Sequence, residues 1–548
     1  MMLPSFSPGR FLAWLGHAPG RTALLAAALA LALVWACAPL AAGPDLDAAI
    51  YADHTASGHW DSRRLRQAAE AALDARDAEP LDLLLPWDQT VFPRNMAPPL
   101  FDWQGEAQSW LVCLVPGDGA RPVVVRVDAP PWEPDGATWE AVKQGSLDSP
   151  ARAVVAGLDA QGEVVSAAGI GFSVARQSVD WPIMYQEMPL PFTYGREHPE
   201  MFTWRMATVA DAGPPRTVLA DQEVCGMCHH FSADGSAFGL DLDVDGDKGA
   251  FLLTRVRDGL SLTRDDLLSW TAFQDGGVTL GLFARISPDA GMVVATIREK
   301  SMLVTFDDPM FSEFFFPING VLAYYRSDLG RFGVLPGADD PDFAHAGPDW
   351  SPDGASIVFS RAPVMPEYLE FMGTAGSIPG PPGTGIRDFN QRFPLRFDLY
   401  RLEVNGGLGG TPQPLQGASN NGHSNFWPRH SPDGKWLVFT RATNAMMNQP
   451  DSELWIIPAQ GGEARRLACT RQGHNSWHVW SPDSGWLLFA SKTLGPQTRL
   501  FLARMHPDGT SSPPAYLHRL ATPGLASVLP EFAPQSLRDM QEIRLDMQ

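Results

Sequence analysis

The chain has 548 residues, with 41 Lys and Arg against 62 Asp and Glu, a formal net charge of −21 at pH 7. Nucleic-acid binding depends on basic side chains that neutralise phosphates, so a chain this acidic is a poor candidate for it. Hydrophobic residues make up 45%, enough for buried cores, while 51 Gly and 49 Pro argue against long helical bundles. Five cysteines are too few for a fold held by disulfides.

The N-terminus predicts export. Residues 23–42 form a continuous apolar run preceded by Arg10 and Arg21, the pattern of a secretory signal. A run of about 20 apolar residues is also long enough to stay in the membrane as an anchor. Cys37 ends a segment, LVWAC, that loosely resembles a bacterial lipobox. Residues 1–43 are therefore expected to be a signal peptide or a membrane or lipid anchor, with the rest periplasmic or on the outer surface of a bacterial membrane.

Two segments precede the repeats. Residues 44–84 are rich in Ala, Asp and Arg, and their periodicity predicts a linker with one short exposed helix. Residues 85–180 alternate short apolar strands with Pro/Gly turns, which predicts a β-sandwich domain of the immunoglobulin or fibronectin III type. Cys113 lies in one of these strands, and a buried free thiol is expected there.

An internal repeat begins near residue 230. Its core is Ser-Pro-Asp-Gly followed by an apolar strand, and the copies start at Ser232, Ser287, Ser351, Ser431 and Ser481. Pro presets the first turn position and Asp-Gly supplies the reversal, so each copy joins two antiparallel strands. About four strands per 40 to 50 residues is typical of the blade of a β-propeller. The spacing of 80 between two copies marks an insertion at residues 362–396, expected on one face of the ring.

Over roughly residues 200 to 530 the repeats resemble those of TolB-like β-propellers with WD40-like (PD40) repeats. The resemblance implies an all-β fold with a six-bladed propeller. Five copies are visible, and residues 200–222 together with 515–532 are expected to form the sixth blade and close the ring. The propeller domain is placed at residues 181–535, and residues 536–548 are expected to be a C-terminal tail.

The strongest chemical motif is Cys225-Gly226-Met227-Cys228-His229. Two Cys three residues apart with His next form the attachment motif for c-type haem, in which the thiols bind the vinyl groups and His229 is the proximal iron ligand. Chance occurrence in this composition is on the order of one in a thousand. A Cys225–Cys228 disulfide and a zinc site remain alternatives. The neighbouring His230 is expected to be a bystander.

The motif strengthens the resemblance. The run Val224 to Gly235 resembles bacterial PD40 proteins in which a haem motif close to CGNCHSFSADG leads directly into the first repeat. Segments similar to the same group lie at 91–99, 185–192, 449–454 and 475–478, so the likeness covers most of the chain after residue 43. His230 is a departure, since Ser is usual at that position. The resemblance implies one covalent haem c and does not supply a physiological role.

Candidates for the sixth iron ligand follow from repeat positions. His229 lies three residues before its repeat Ser, and so does His478, in a strand expected to line the central channel. His478 is therefore the first candidate for a distal ligand, followed by His423 and His345. Met446 or Met447 is a further candidate, and a Met ligand would raise the reduction potential relative to a second His. A vacant sixth position would favour small-ligand chemistry.

A weaker motif predicts calcium. Asp241, Asp243 and Asp245 stand at positions 1, 3 and 5 of a calcium-type loop, with Gly246 at position 6. The expected Glu at position 12 is replaced by Leu252, so a solvated acidic turn is the competing interpretation.

These features favour an exported monohaem c-type cytochrome that exchanges electrons with a redox partner, and the acidic charge favours a partner with a basic docking surface. One alternative is a propeller scaffold with a structural or sensory haem. Another is a peroxidase-like haem enzyme with an open sixth site. The sequence has no G-x-S-x-G, H-E-x-x-H or P-loop motif.

Overall fold

The computed structural model describes residues 44–56, 58–75, 78–222, 226–257, 259–273, 279–304, 310, 314–373, 391–392, 394–445, 447 and 449–547. Cys37, Cys225 and Met446 lie outside these ranges, as does the apolar run at residues 23–42. Within them, the chain offers no helix of the length and hydropathy needed to cross a bilayer. The fold consists mainly of strands, arranged as a front domain followed by a propeller-like set of sheets.

The front domain is built on one mixed sheet. Its elements are β1 (Ile50–Asp53), α1 (Ser62–Leu73), β2 (Glu79–Pro80), β3 (Asp82–Leu85), β4 (Thr90–Phe92), β5 (Asp102–Gln104), β6 (Ser109–Val115), β7 (Val123–Val127), α2 (Gly136–Gln144), β8 (Ala151–Leu158) and β9 (Val164–Val174). The strand order is β1-β7-β6-β8-β9-β2, with β4 also paired to β9. Strands β1, β2 and β4 run parallel to their neighbours. Two facing antiparallel sheets were expected for residues 85–180, and the described residues form this single sheet and the small β3–β5 pair instead.

Helix α1 explains the difference, because it covers one face of the sheet. It starts at Asp61, whose side chain accepts the backbone N–H of Arg64. Its buried residues follow helical spacing and pack with alternate residues of the sheet; they are Leu65, Ala68, Ala69 and Ala72. The segment 44–84 therefore contributes strands β1 and β2 and a helix with one buried face to the domain. Cys113 is a free, buried thiol on the same face, and burial raises its pKa to about 12.

The propeller-like part consists of four-stranded units. By unit, the strands are β34 (Leu525–Phe532), β10 (Ile183–Pro189), β11 (Thr203–Ala207) and β12 (Arg216–Leu219); β13 (Gly226–Phe231), β14 (Ala237–Leu242), β15 (Ala250–Arg255) and β17 (Leu267–Ser269); β18 (Leu282–Ile286), β19 (Met292–Val304), β20 (Phe314–Arg326) and β21 (Arg331–Val334); β22 (Phe343–Trp350), β23 (Ser356–Pro363), β24 (Asp398–Glu403) and β25 (Gln413–Pro414); β26 (Ser424–His430), β27 (Trp436–Ala442), β28 (Glu453–Pro458) and β29 (Arg465–Arg466); and β30 (Asn475–Trp480), β31 (Trp486–Ser491), β32 (Arg499–Arg504) and β33 (Ala515–Tyr516).

Further elements connect these units. Helices α3 (Phe192–Glu197) and α4 (Pro366–Met372) lie between strands, and β16 (Leu260–Thr263) pairs in parallel with β35 (Ile543–Asp546). The expected tail at 536–548 thus contains a paired strand. Of the insertion at 362–396, the structure describes 362–373, 391–392 and 394–396.

One strand of each unit lies innermost. These strands are called the inner strands below; they are β13, β18, β22, β26, β30 and β34. Each inner strand contacts the next, and β13 contacts β34, so the set forms a closed ring. One isolated pairing, Gly320 with Ala344, links β20 to β22 and joins two neighbouring units into an eight-stranded sheet. The ring leaves the axis lined by inner-strand residues.

Each Ser-x-Asp turn is held by the same hydrogen bonds. At Ser431, the buried hydroxyl donates to Asp433 Oδ1 at 2.6 Å and accepts the backbone N–H of Trp436 at 3.0 Å. Asp433 Oδ1 also accepts the N–H of Lys435 at 3.1 Å. The other copies repeat the hydroxyl–carboxylate bond at Ser232–Asp234, Ser287–Asp289, Ser351–Asp353 and Ser481–Asp483. The Ser and Asp side chains therefore pair the backbone groups that the reversal leaves exposed.

The chain ends close the ring. The C-terminal β34 pairs antiparallel with β10, and β11 and β12 complete that sheet. Strand β34 therefore pairs directly with residues 183–189. The sequence predicted residues 200–222 as the segment that shares its unit, and these lie further along the chain. This pairing joins strands from the two ends of the propeller-like part in one sheet.

The front domain packs against the outside of the ring near its junction. Glu133 accepts hydrogen bonds from His518, at 3.1 Å, and from Arg519. Trp87 packs its ring against Phe501 of β32, with centroids 5.8 Å apart. Several of the front domain's buried residues belong to the same apolar cluster as the ring's, so the two parts share a core.

Candidate functional site

The inner strands share one backbone irregularity. In each inner strand, the pairing with the adjacent strand slips by a residue or more near one position. This position lies four residues before the repeat Ser. In β34, which has no repeat Ser, it lies four residues before Ala533. The residues at this position in five of the strands have left-handed φ values between 49° and 58°; they are Phe283, Gly347, Trp427, Trp477 and Leu529. Bulky residues rarely adopt this conformation, so its repetition marks a built feature of the axis. Cys228 occupies the same position in β13.

These positions, each with one or two of the residues that follow, line one cavity on the axis of the ring. The lining residues are Cys228, His229, Phe283, Ala284, Arg285, Gly347, Pro348, Trp427, Arg429, Trp477, His478, Leu529, Pro530 and Glu531. The cavity measures about 20 Å³, which holds about one water molecule. The CxxCH motif therefore meets the axis through Cys228 and His229.

His229 is buried and Cys228 is half-buried. Burial and the nearby Asp241 carboxyl raise the pKa of the Cys228 thiol well above its usual value. His229 is 4% exposed, and one of its ring nitrogens lies 3.4 Å from the carbonyl oxygen of Met184. Its other ring nitrogen is buried without a partner in the described structure. Burial lowers the pKa of His229 to about 4, so the ring is neutral at pH 7.

His478 repeats this arrangement two units away around the ring. One ring nitrogen lies 3.1 Å from the carbonyl oxygen of Val438, and the other is buried and unpaired among the described residues. Val438 pairs with Arg429, two residues before Ser431. Met184 pairs with Glu531, two residues before Ala533, so the two carbonyl partners occupy equivalent places. Burial, with Arg429 nearby, lowers the pKa of His478 to about 3. The two imidazoles therefore bridge to the preceding unit in the same way and line one cavity.

A neutral imidazole that donates its N–H to a carbonyl keeps a free lone pair on its second nitrogen. Metal-binding imidazoles are commonly oriented in this way, with the N–H on a backbone carbonyl and the other nitrogen on the metal. His229 and His478 both fit this description, with Met184 and Val438 as the carbonyl partners.

The other predicted distal ligands are not brought to the cavity. His345 is buried in β22, where its Nδ1 lies 3.1 Å from the Gly320 carbonyl and its ring is near Phe359. His423 is exposed just before β26. Met447 is buried, with φ 59°, outside the lining set, and Met446 lies outside the described residues.

His230 is held by a structural contact. Its Nδ1 accepts the backbone N–H of Ile286 at 3.2 Å, which links β13 to β18. Burial lowers its pKa well below the usual value. Its role as a bystander to the motif stays a prediction.

The calcium interpretation meets three carboxylates with different partners. Asp241 is buried against Cys228, Asp243 pairs with Lys248, and Asp245 pairs with Arg264 at 2.8 Å. Burial raises the pKa of Asp241 well above its usual value. Over the residues that the structure describes, His, Cys, Asp and Glu side chains form no group of three or more suited to a metal ion.

Buried or part-buried charged side chains lie two residues after the left-handed position, which is called the bulge, in four inner strands; they are Arg285, Asp349, Arg429 and Glu531. Arg285 donates to Glu531 at 2.7 Å, and its guanidinium lies 3.8 Å from Asp349. Arg429 lies 3.6 Å from Asp349, which is more tightly bound by the backbone and ring N–H groups of His430 at 2.8 and 3.0 Å. The sequence analysis did not identify these residues. Charged side chains at one repeat position of otherwise apolar inner strands were the signal that could have found them.

The donor set of the site suits a covalent haem, and the enclosed volume does not. A thiol and a neutral imidazole with an unpaired nitrogen stand side by side, and a second imidazole of the same kind lines the cavity. A porphyrin is far larger than about 20 Å³, so it does not fit inside the lining as packed here. Cys225, the other thiol of the motif, lies outside the described residues.

Comparison with known proteins gives likenesses of fold. No protein-family model and no curated protein matches the chain. Among solved structures, TolB from Acinetobacter baumannii is similar at 14% identity and a TM-score of 0.40, over 70% of this chain and 79% of that chain. A putative TolB from Agrobacterium tumefaciens is similar at 15% identity and a TM-score of 0.30, over 69% of this chain and 96% of that chain. Oligogalacturonate lyase from Vibrio parahaemolyticus is similar at 14% identity and a TM-score of 0.31, over 55% and 68%. The propeller-like arrangement rests on the chain's own strand pairing.

Proposed function

We propose that the chain is an exported c-type haem protein that transfers electrons, built as a six-bladed TolB-like propeller with one haem on Cys225 and Cys228 and with His229 as the proximal iron ligand. The observation that carries the proposal is that Cys228 and His229 of the CxxCH motif line the axial cavity. The closed ring of inner strands supports the count of six blades. A bound haem c would supply one-electron chemistry at its iron.

The chain's own residues have three tasks in this proposal. The Met184 carbonyl orients the His229 ring and leaves one nitrogen free for the iron. Burial keeps that ring neutral, since its pKa is about 4 and protonation would remove the ligand. The bulge residues Phe283, Trp427 and Leu529 limit the space on the axis to about one water molecule.

His478 is the proposed distal ligand. It lines the same cavity as His229 and keeps one unpaired nitrogen. For both imidazoles to bind one iron, the bulge residues between them must repack, because the cavity holds only about one water molecule. A low-spin spectrum that is insensitive to CO supports this ligand, whereas CO binding supports the peroxidase-like alternative with an open sixth site.

The partner is proposed to be a redox protein with a basic docking surface. The net charge of −21 would steer such a partner towards the chain, and the rate of association would fall as salt is added. The apolar run before residue 43 supports export to the periplasm, with attachment through Cys37 as one form of the N-terminus.

The test of haem attachment is a pyridine haemochrome spectrum of denatured protein, after export in cells that carry the c-type maturation machinery. We expect one haem per chain, lost in Cys228→Ser and in Cys225→Ser. Cys469→Ser is the matched control, because Cys469 is a buried free thiol in another part of the ring. Haem-free wild-type protein, in cells that mature another c-type cytochrome, would contradict the proposal.

A second candidate is a propeller that binds a partner without haem. The observation that favours it is the equivalence of His229 and His478. His478 makes the same contact with the preceding unit although no CxxC precedes it, so that contact alone accounts for the His229 imidazole. In this case both cysteines of the motif remain free of haem after export, which the same spectrum detects.

A further inference from the structure

Four buried hydrogen-bond donors at the axial cavity lack an acceptor, and the unpaired imidazole nitrogens of His229 and His478 line the same cavity. The indole N–H groups of Trp427 and Trp477 are buried and have no partner in the described part of the chain. The Nε atoms of Arg285 and Arg429 are buried and unpaired as well. Both guanidiniums are more than nine-tenths buried, at 7% and 5% exposure. Native proteins pair almost all buried donors, so four such donors at one cavity point to a ligand that accepts hydrogen bonds.

The charges around the cavity leave Arg429 the least compensated. Glu531 is committed to Arg285 at 2.7 Å, and Asp349 is committed to His430. The carboxylate oxygen that pairs with Arg429 lies 3.6 Å away. Burial and the neighbouring Arg285 lower the pKa of Arg429 to about 9, the response of a cation that lacks a close counter-ion.

We propose that the axial cavity binds a small monovalent anion, the size of chloride or formate, held by the guanidinium of Arg429 and the indole N–H groups of Trp427 and Trp477. The Arg429 guanidinium already lies against the Trp427 ring, 4.5 Å from its centroid, which fixes its position beside one of these donors. None of the three residues belongs to the CxxCH motif. The proposed haem would occupy the same cavity, so the anion site belongs to the haem-free chain.

The size and charge of the cavity set the class of ligand. About 20 Å³ favours the smallest anions, so chloride fits better than formate, and both fit better than tetrahedral oxyanions. Glu531 and Asp349 lie close by and repel a second negative charge, which favours a monoanion over a dianion. The imidazoles of His229 and His478 are neutral, so they do not add positive charge.

The experiment is an anion titration of the full chain, produced without the haem maturation machinery. Sodium chloride or sodium formate replaces sodium gluconate, an anion too large for the cavity, at constant ionic strength. We expect a saturable rise in the thermal unfolding midpoint, as mass action requires for a ligand of the folded state. Arg429→Gln should weaken the apparent affinity at least tenfold, and Trp477→Phe, which keeps the ring and removes the N–H, about three- to tenfold.

The matched control is Arg441→Gln. Arg441 also lies over a Trp, 4.0 Å from the Trp455 ring centroid, and does not line the cavity. The Arg441→Gln variant should bind chloride and formate with the same affinity as the wild type. A wild-type midpoint that is the same in chloride, formate and gluconate would overturn the proposal, and would leave water as the occupant. Equal affinity in Arg429→Gln and wild type would overturn it too. Should Arg429→Gln fail to fold, Trp477→Phe provides the same comparison.

Discussion

The equivalence of His229 and His478 makes a quantitative prediction for haem-free protein. Replacing either residue with Ala removes a hydrogen bond to a carbonyl, about 1 kcal/mol, and leaves a cavity where a buried ring packed, about 1–3 kcal/mol. Each variant should lose about 2–4 kcal/mol of unfolding free energy. The loss should be smaller for His229→Ala, because its carbonyl contact is 3.4 Å against 3.1 Å for His478.

The assay is urea unfolding, followed by tryptophan fluorescence, of protein produced without the haem maturation machinery. His478→Gln and His229→Gln keep a donor and should recover part of the loss. His423→Ala is the control, because His423 is exposed and its loss should change stability by less than about 0.5 kcal/mol. If His478→Ala is as stable as the wild type while His229→Ala is not, the two residues do not share a structural role.

Three further predictions concern stability. Ser431→Ala should cost about 1–2 kcal/mol in urea unfolding, because it leaves the part-buried N–H of Trp436 without its acceptor. Burial raises the pKa of Glu299 from 4.5 to about 7, so the folded state loses stability as pH rises through that interval. The gain in unfolding free energy from Glu299→Gln should therefore be about 2–3 kcal/mol larger at pH 8 than at pH 5. Equal gains at the two pH values would contradict this. His474 has its pKa lowered from 6.5 to about 3 by burial and by Lys492, so only the unfolded chain gains its proton as pH falls below 6.5. Between pH 7 and 5, wild type should therefore lose about 2 kcal/mol more unfolding free energy than His474→Gln, and identical pH slopes would refute the assignment.

The repeat was predictable because its turns are held by local contacts. Ser and Asp two residues apart make the same bonds in every copy, including Ser232-Ala233-Asp234, which lacks the Pro. The front domain was less predictable because its sheet depends on distant pairing. Ile50 pairs with Val123 in a parallel register, and no local pattern links the two. The segment before residue 85 therefore resembled a linker until its partner strand was seen.

Part of the site could be predicted from positions within the repeat. His229 and His478 each lie three residues before a repeat Ser, and the structure brings both to one cavity. The left-handed bulge could not be predicted, since Trp427 and Trp477 favour ordinary strand conformations in isolation and adopt φ of 54° and 49° only within the ring. The buried charges at Arg429 and its neighbours escaped notice because charged residues in a strand usually face solvent.

Mass spectrometry of one tryptic peptide tests the central claim most directly. Residues 217–248 lie between Arg216 and Lys248 with no other Lys or Arg, and this peptide contains Cys225 and Cys228 and no other cysteine. From protein exported with the maturation machinery and alkylated without reduction, the account predicts a peptide that carries one haem and no alkyl group. A haem-free peptide, whether with two alkylated thiols or with a disulfide that blocks alkylation, would contradict it.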